Sequence, residues 1–167
     1  NIVLNKYSRS IGFEFDMEGQ ISKSGNINKH LLKELNEISY YHLTHPKSLG
    51  LEWVENKIFP LIDSYKISTK DILRTYVEHI AVQISNNLKG DNLKILISGG
   101  GSKNKFLMER IKQLSKKSLE IISENITDYK EALIFGFLGV LRIRNENNCL
   151  KSVTGADKDH SSGVIFE

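Results

Sequence analysis

The run Ser98-Gly99-Gly100-Gly101-Ser102 is the stretch of this sequence best equipped for chemistry. Consecutive glycines remove every Cβ, so a flat or charged ligand can approach the backbone amides closely. The apolar segment before the run, Leu93–Ile97, reads as a short strand buried on both faces. The segment after it, Lys105–Lys116, reads as a helix with Phe106, Leu107, Ile111 and Leu114 inward. Ligands of open α/β sheets bind beyond the carboxyl ends of strands. Amides that open a helix donate to an anion or a hydroxyl. Gly99, Gly100 and Gly101 are therefore the first candidate ligand contacts. Asn104, which both donates and accepts at the helix start, is the second. The spacing is that of neither Gly-x-x-x-x-Gly-Lys-Ser/Thr nor Gly-x-Gly-x-x-Gly, because Lys103 and Asn104 fill the later glycine's place. A tight strand–helix turn with no ligand is the competing reading.

The elements that must hold this turn are legible in part. Ile72, Leu73, Tyr76, Val77, Ile80, Ala81, Ile84 and Leu88 recur at helical spacing. They predict a helix over Thr69–Leu88, capped by Ser68, with its stripe packed against something large such as a sheet. Gly90 suits a left-handed cap at its end. Helices are also expected in the first ten residues, over Lys29–Asn36 and over Glu52–Ile62. Ser118–Ile122 reads as a second strand. Asp128 with Glu131 three residues on resembles a capping box opening a last helix, Tyr129–Arg144. The order helix, strand, helix, strand, helix in the second half argues an α/β layer with parallel strands.

Composition narrows the class. The 167 residues are 40% apolar and 26% charged, ordinary for a globular domain. No apolar run approaches the ~20 residues of a membrane span, and the start has no signal-peptide anatomy. The net charge of +3 is scattered; Lys112, Lys116 and Lys117 read as a solvated face rather than a nucleic-acid stripe. Cys149 is the only cysteine, which fits a reducing cytoplasm. His30, His42 and His45 have no cysteine or aspartate at ligand spacing, so no metal site is expected. Asp157, Asp159 and His160 read as a solvated tail.

Several segments together carry a family resemblance. "ILISGGGSKNKFLMERI" is similar to the adenosine-binding motif of the actin-like sugar kinase and Hsp70 superfamily. "FDMEGQISKSGNIN" resembles an Asp-x-x-Gly-x-x-Ala-x-x-Gly segment of the anhydro-N-acetylmuramic acid kinase family, through Asp16, Gly19, Ser22 and Gly25. "HPKSLGLEW" resembles that family's Pro-Lys-Ser-x-Gly-Arg-Glu segment through Pro46, Lys47, Ser48, Gly50 and Glu52, with Leu51 in place of the arginine. "DYKEALIFGFLG" resembles its Glu-Ala-x-x-Phe-x-x-Leu helix through Glu131, Ala132, Phe135 and Leu138. "SVTGADKDHSSGVIF" resembles its Thr-Gly-Ala tail through Thr154, Gly155 and Ala156.

The resemblance implies an actin-like (ribonuclease H-like) ATPase fold, with residues 1–167 as the C-terminal nucleotide-binding domain. That second half is helix-rich, with a short, mostly parallel sheet. It implies a kinase that opens 1,6-anhydro-N-acetylmuramic acid with water and phosphorylates the 6-hydroxyl, using ATP and Mg²⁺. Its partners would be the amino sugar and ATP, with no nucleic acid and no membrane, in the cytoplasm. Gly99, Gly100, Gly101 and Asn104 would contact the nucleoside. Glu131 would contact the sugar, a capping role being the rival reading. The catalytic base is expected just upstream of Asn1, together with the phosphate loop and a strand meander, so no base is assigned here and the chain alone is expected to be inactive. Without the meander the glycine-run strand would leave an apolar edge, inviting a second copy. A non-catalytic nucleotide-binding or regulatory module fits the same features. So does, less well, another sugar or acetate kinase, or a Rossmann-like domain using Glu120 or Glu124.

Overall fold

The computed structural model describes residues 2–44, 47–88, 90 and 94–166. His45, Pro46 and Leu93, named above, lie outside them. The described chain divides into two compact units, residues 1–121 and 122–167.

The first unit is built on one long helix. Helix α1 is Ile2–Arg9, α2 is Gln20–Lys23 and α3 is Lys29–Asn36. Next come α4 (Leu51–Trp53), a π-helical turn (Val54–Ile58) and α5 (Phe59–Asp63). These three form one rod, because Pro60 has no N–H for the Asn56 carbonyl and the wider turn sits just before it. Helix α6, Thr69–Asn87, starts as its sequence requires: Ser68 Oγ accepts from the Asp71 N–H at 3.3 Å. Its buried stripe, Ile72, Leu73, Val77 and Ala81, meets α1, α2, α3 and α7. Helices rather than the sheet are its main partners, with Ile97 and Leu119 of the strands packing at the margin of the core and Leu31, Leu35, Ile58, Ile62 and Ile111 fully buried around it. Each such side chain contributes about 1.5–3 kcal/mol. The helix ends at Leu88, so Gly90, at φ 112°, is not its cap.

Strand β1 (Lys94–Ile97) and strand β2 (Ser118–Ile121) form a two-stranded parallel sheet, pairing Ile95 with Leu119 and Leu96 with Glu120. The α/β class and parallel pairing are as expected. Burial on both faces is not: Leu96 is 64% exposed, since a sheet of two strands covers little of either face. Between the strands lies α7, Lys105–Ser115, which buries Phe106, Leu107, Met108 and Ile111. Leu114 is exposed instead of inward. Lys116, at φ 54°, ends α7 by turning left-handed, so only Lys112 of the three clustered lysines is on the helix.

The second unit is helix α8, Glu124–Ile143, followed by α9, Lys151–Thr154, and a folded-back tail. Asn148 staples that tail: its Nδ2 donates to the Ser162 carbonyl at 3.0 Å and its Oδ1 accepts from the Ser162 N–H at 2.7 Å. The tail is more structured than its polar composition suggested. Asp159 accepts from the Lys151 N–H at 2.8 Å, and Cys149 and His160 exchange backbone bonds. No helix among the described residues is long and apolar enough to cross a membrane.

Candidate functional site

The glycine run begins in backbone that only glycine adopts easily. Gly99 has φ 97° and ψ 169°. A single 3-10 turn, Gly100–Lys103, follows. It is closed by the Ser102 N–H and hydroxyl donating to the Gly99 carbonyl, at 2.9 and 2.7 Å. Asn104 is buried and caps α7, accepting from the Leu107 N–H at 2.9 Å. Its Oδ1 thus holds the helix start, and its Nδ2 can donate to a ligand.

A second segment packs onto this turn. Both carboxylate oxygens of Asp16 accept backbone N–H groups, from Ile21 at 2.8 Å and Ser22 at 3.0 Å, and so start α2. Gly19, at φ 79°, lies so close to α7 that a Cβ there would overlap Asn104 Oδ1 and Phe106 Cβ. Ser22 is fully buried and donates to the Gly19 carbonyl at 3.0 Å. A Cβ on Gly25 would strike the Lys70 carbonyl at the start of α6. The spacing of Asp16, Gly19, Ser22 and Gly25 is thus a docking pattern: cap, close approach, small buried residue, close approach.

The two segments and helix α1 enclose a cleft of about 250 Å³, lined by Leu4, Asn5, Phe15, Asp16, Glu18, Gly100, Lys103 and Asn104. An apolar groove of about 330 Å³ includes Ser98, Gly101 and Ser102 along with Ile80, Ile84 and Ile97. Gly100 and Asn104 therefore share one cleft, while Gly101 lines a different one. Asn5 has no periodic or motif signal in the sequence, and Phe15 opens the quoted Phe15–Asn28 segment without a role of its own. Glu18 stood inside the Asp16–Gly19 segment without attracting a role.

Glu131 lies in the second unit, exposed within α8. The helix opens at Glu124, and the Thr127 N–H already donates to the Ser123 carbonyl at 3.0 Å. Asp128 and Glu131 are therefore interior, and the capping-box reading is corrected. Lys47 is also settled by its contacts: its ammonium donates to the carbonyls of Tyr40, Tyr41 and Leu43 at 3.2–3.4 Å. It anchors the loop. Among the described residues no three His, Cys, Asp or Glu side chains converge as a metal set.

A buried polar network ties that loop to α6. His79 is 1% exposed, with Nδ1 at 2.7 Å from Asn36 Oδ1 and Nε2 at 3.0 Å from Tyr41 Oη. Asn36 Oδ1 also accepts from Gln83 Nε2 at 2.9 Å. An amide oxygen only accepts, so His79 carries its proton on Nδ1 and Tyr41 donates to Nε2. Burial pushes the His79 imidazole down to about 4. At the preceding position of α6, Glu78 accepts from Arg74 and from Arg110 of α7, at 2.7–2.8 Å. Burial raises its carboxyl, but the Arg110 and Arg74 hydrogen bonds outweigh that and hold it below the usual range.

A parallel strand ending in a glycine turn, with a cleft walled by a second glycine-dependent segment, defines an α/β domain with its cleft at the carboxyl end of a strand. The chain matches the family described as Anhydro-N-acetylmuramic acid kinase over residues 1–167. It belongs to that family. It is 34% identical to the anhydro-N-acetylmuramic acid kinase of Sulfurovum sp. (strain NBC37-1), covering 91% of this chain and 43% of the relative. It is 34% identical to the enzyme of that name from Mannheimia succiniciproducens, covering 93% and 45%, and 29% identical to that from Vibrio parahaemolyticus, covering 95% and 45%. The chain thus spans less than half the length of these curated relatives.

Proposed function

We propose that this chain supplies the nucleoside side of the cleft of an ATP-dependent kinase acting on 1,6-anhydro-N-acetylmuramic acid. In the proposed reaction water opens the anhydro bridge and the γ-phosphoryl group passes to the 6-hydroxyl, giving N-acetylmuramate 6-phosphate and ADP. Such a reaction serves the recycling of cell-wall sugar in the cytoplasm. The observation that carries the reading is the seating of Gly19 on Asn104, which joins two family segments in one cleft with Gly100.

In this reading Gly99, Gly100 and Gly101 let the nucleoside approach the backbone, and Asn104 Nδ2 adds a donor. Glu131 contacts the sugar from α8. No catalytic base is assigned to a residue of this chain. With no group of three metal-ligating side chains among the described residues, no Mg²⁺ site is assigned to them; an accompanying ion would rest on phosphate oxygens and water. Among the described residues β1 pairs with β2 alone, which supports a further strand on its other edge, from a second copy or from residues of a longer protein.

Nucleotide binding is the first thing to measure. ADP and ATP should raise the melting temperature saturably, by several degrees at a hundredfold excess over Kd. Gly100→Val should abolish the rise. Gly100 is the residue to change because its φ is not in the left-handed region, so valine obstructs the cleft without the strain it would meet at Gly99. Equal shifts in both proteins would place the nucleotide elsewhere.

A further inference from the structure

The cleft beside Gly100 contains two carboxylates, and only one is committed to the fold. Asp16 is buried and spends both oxygens on the Ile21 and Ser22 amides. Glu18 is different. It holds φ 53° and ψ 8°, a left-handed conformation that is costly for a residue with a long side chain. Glycine or asparagine would occupy that position at less cost. The partner the structure gives its carboxylate is the ammonium of Lys105, itself 73% exposed, an ion pair worth little in water. Strain kept at a cleft wall for a side chain with no structural bond of consequence points to a ligand.

The chemistry of the cleft narrows that ligand. Lys103 also lines the cleft, but Asp16 and Glu18 outnumber it, so this volume suits an uncharged part of the ligand better than its phosphates. At about 250 Å³ it is smaller than the ~300–1,000 Å³ of a whole small-molecule site. It therefore takes one ring-sized part of a ligand. Two adjacent hydroxyls are the natural complement of two carboxylate oxygens, giving paired charge-assisted bonds. Asn5 adds an amide to the same lining. We infer that Glu18 binds the ribose cis-diol of the nucleotide and sets a preference for ribonucleotides over deoxyribonucleotides. This rests on the nucleotide reading above and assigns it a specificity residue.

The test is calorimetric titration of the purified chain with ADP, 2′-deoxy-ADP and 3′-deoxy-ADP. The wild type should bind each deoxy analogue roughly tenfold more weakly than ADP, the worth of a hydrogen bond to a charged group. Glu18→Asn suits the left-handed backbone but withdraws the carboxylate, and Glu18→Gln keeps the length without the charge. Glu18→Asn should bind all three nucleotides within about twofold of one another, and Glu18→Gln should narrow the gap. Lys105→Met should leave the wild-type preference intact. If Glu18→Asn discriminates as the wild type does, the assignment is overturned while nucleotide binding stands. If Glu18→Asn loses affinity for the anhydro sugar instead, the carboxylate belongs to the sugar and the assignment is again overturned. If the wild type binds no ADP at all, the nucleotide reading fails and takes this inference with it.

Discussion

Gly19 and Gly25 are six residues apart and chemically identical, yet each answers to a different neighbour. Gly19 lies in left-handed backbone against Asn104 and Phe106, whereas Gly25 lies against the carbonyl of Lys70. Gly19→Ala combines backbone strain with overlap and should cost about 2–4 kcal/mol. Gly25→Ala should also destabilise, by pushing its loop off α6. Urea midpoints measure both, and a Gly19→Ala protein as stable as wild type would refute the close approach. Lys47 teaches the opposite lesson. A lysine next to a serine in a family segment suits loop anchoring at least as well as a phosphate or carboxylate ligand, and its ammonium donates to three carbonyls of its own loop. Sequence shows that a residue carries charge; it does not show where the donors point.

At the scale of the element, α8 separates two readings of Glu131 that sequence left level. The helix begins at Glu124, so Glu131 caps nothing and is exposed. Glu131→Gln should therefore leave the melting temperature within about a degree of wild type, as surface substitutions do. In an active protein carrying this segment it should weaken use of the anhydro sugar. A fall in melting temperature with sugar affinity unchanged would restore a structural role. The boundary was misplaced because Asp128 and Glu131 have the spacing of a capping box, while Ser123 has no partner glutamate or glutamine three residues on. In contrast, Ser68 and Asp71 gave the start of α6 correctly, and Asn104 proved to cap α7 although it was singled out for a ligand. Local signals locate helix starts well when side chain and backbone agree within one turn.

For the molecule as a whole, two adjacent residues of α6, Glu78 and His79, make the first unit sensitive to acid, alongside Asp71, held low by its bonds to Ser68 and Asn26. His79 faces Asn36, Tyr41 and Tyr76, with Gln83 joined through Asn36, and burial raises the hydroxyls of Tyr41 and Tyr76 so that they stay protonated. The folded imidazole protonates only near 4, the unfolded one near 6.5. The unfolded chain therefore binds the proton first, and stability falls as pH drops from about 6.5 toward 4, by on the order of 3 kcal/mol. Glu78, held below the ordinary glutamate value by Arg110 and Arg74, adds a second loss beneath that window. Denaturation midpoints from pH 7.5 to 4 should show the first loss in wild type and not in His79→Gln. A parallel fall in both would sink the assignment. What the sequence by itself determined was local or compositional: the α/β class, the long helix α6, the parallel strand order, the glycine turn and the family. Periodicity, caps and glycine spacing act within a few residues, so they survive being read in one dimension. What only the tertiary structure decided was which distant residues meet. Gly19 against Asn104, Glu18 beside Gly100, and His79 between Asn36 and Tyr41 are contacts across tens of residues. They are set by packing and by the need to satisfy buried polar groups, and neither leaves a period in the chain.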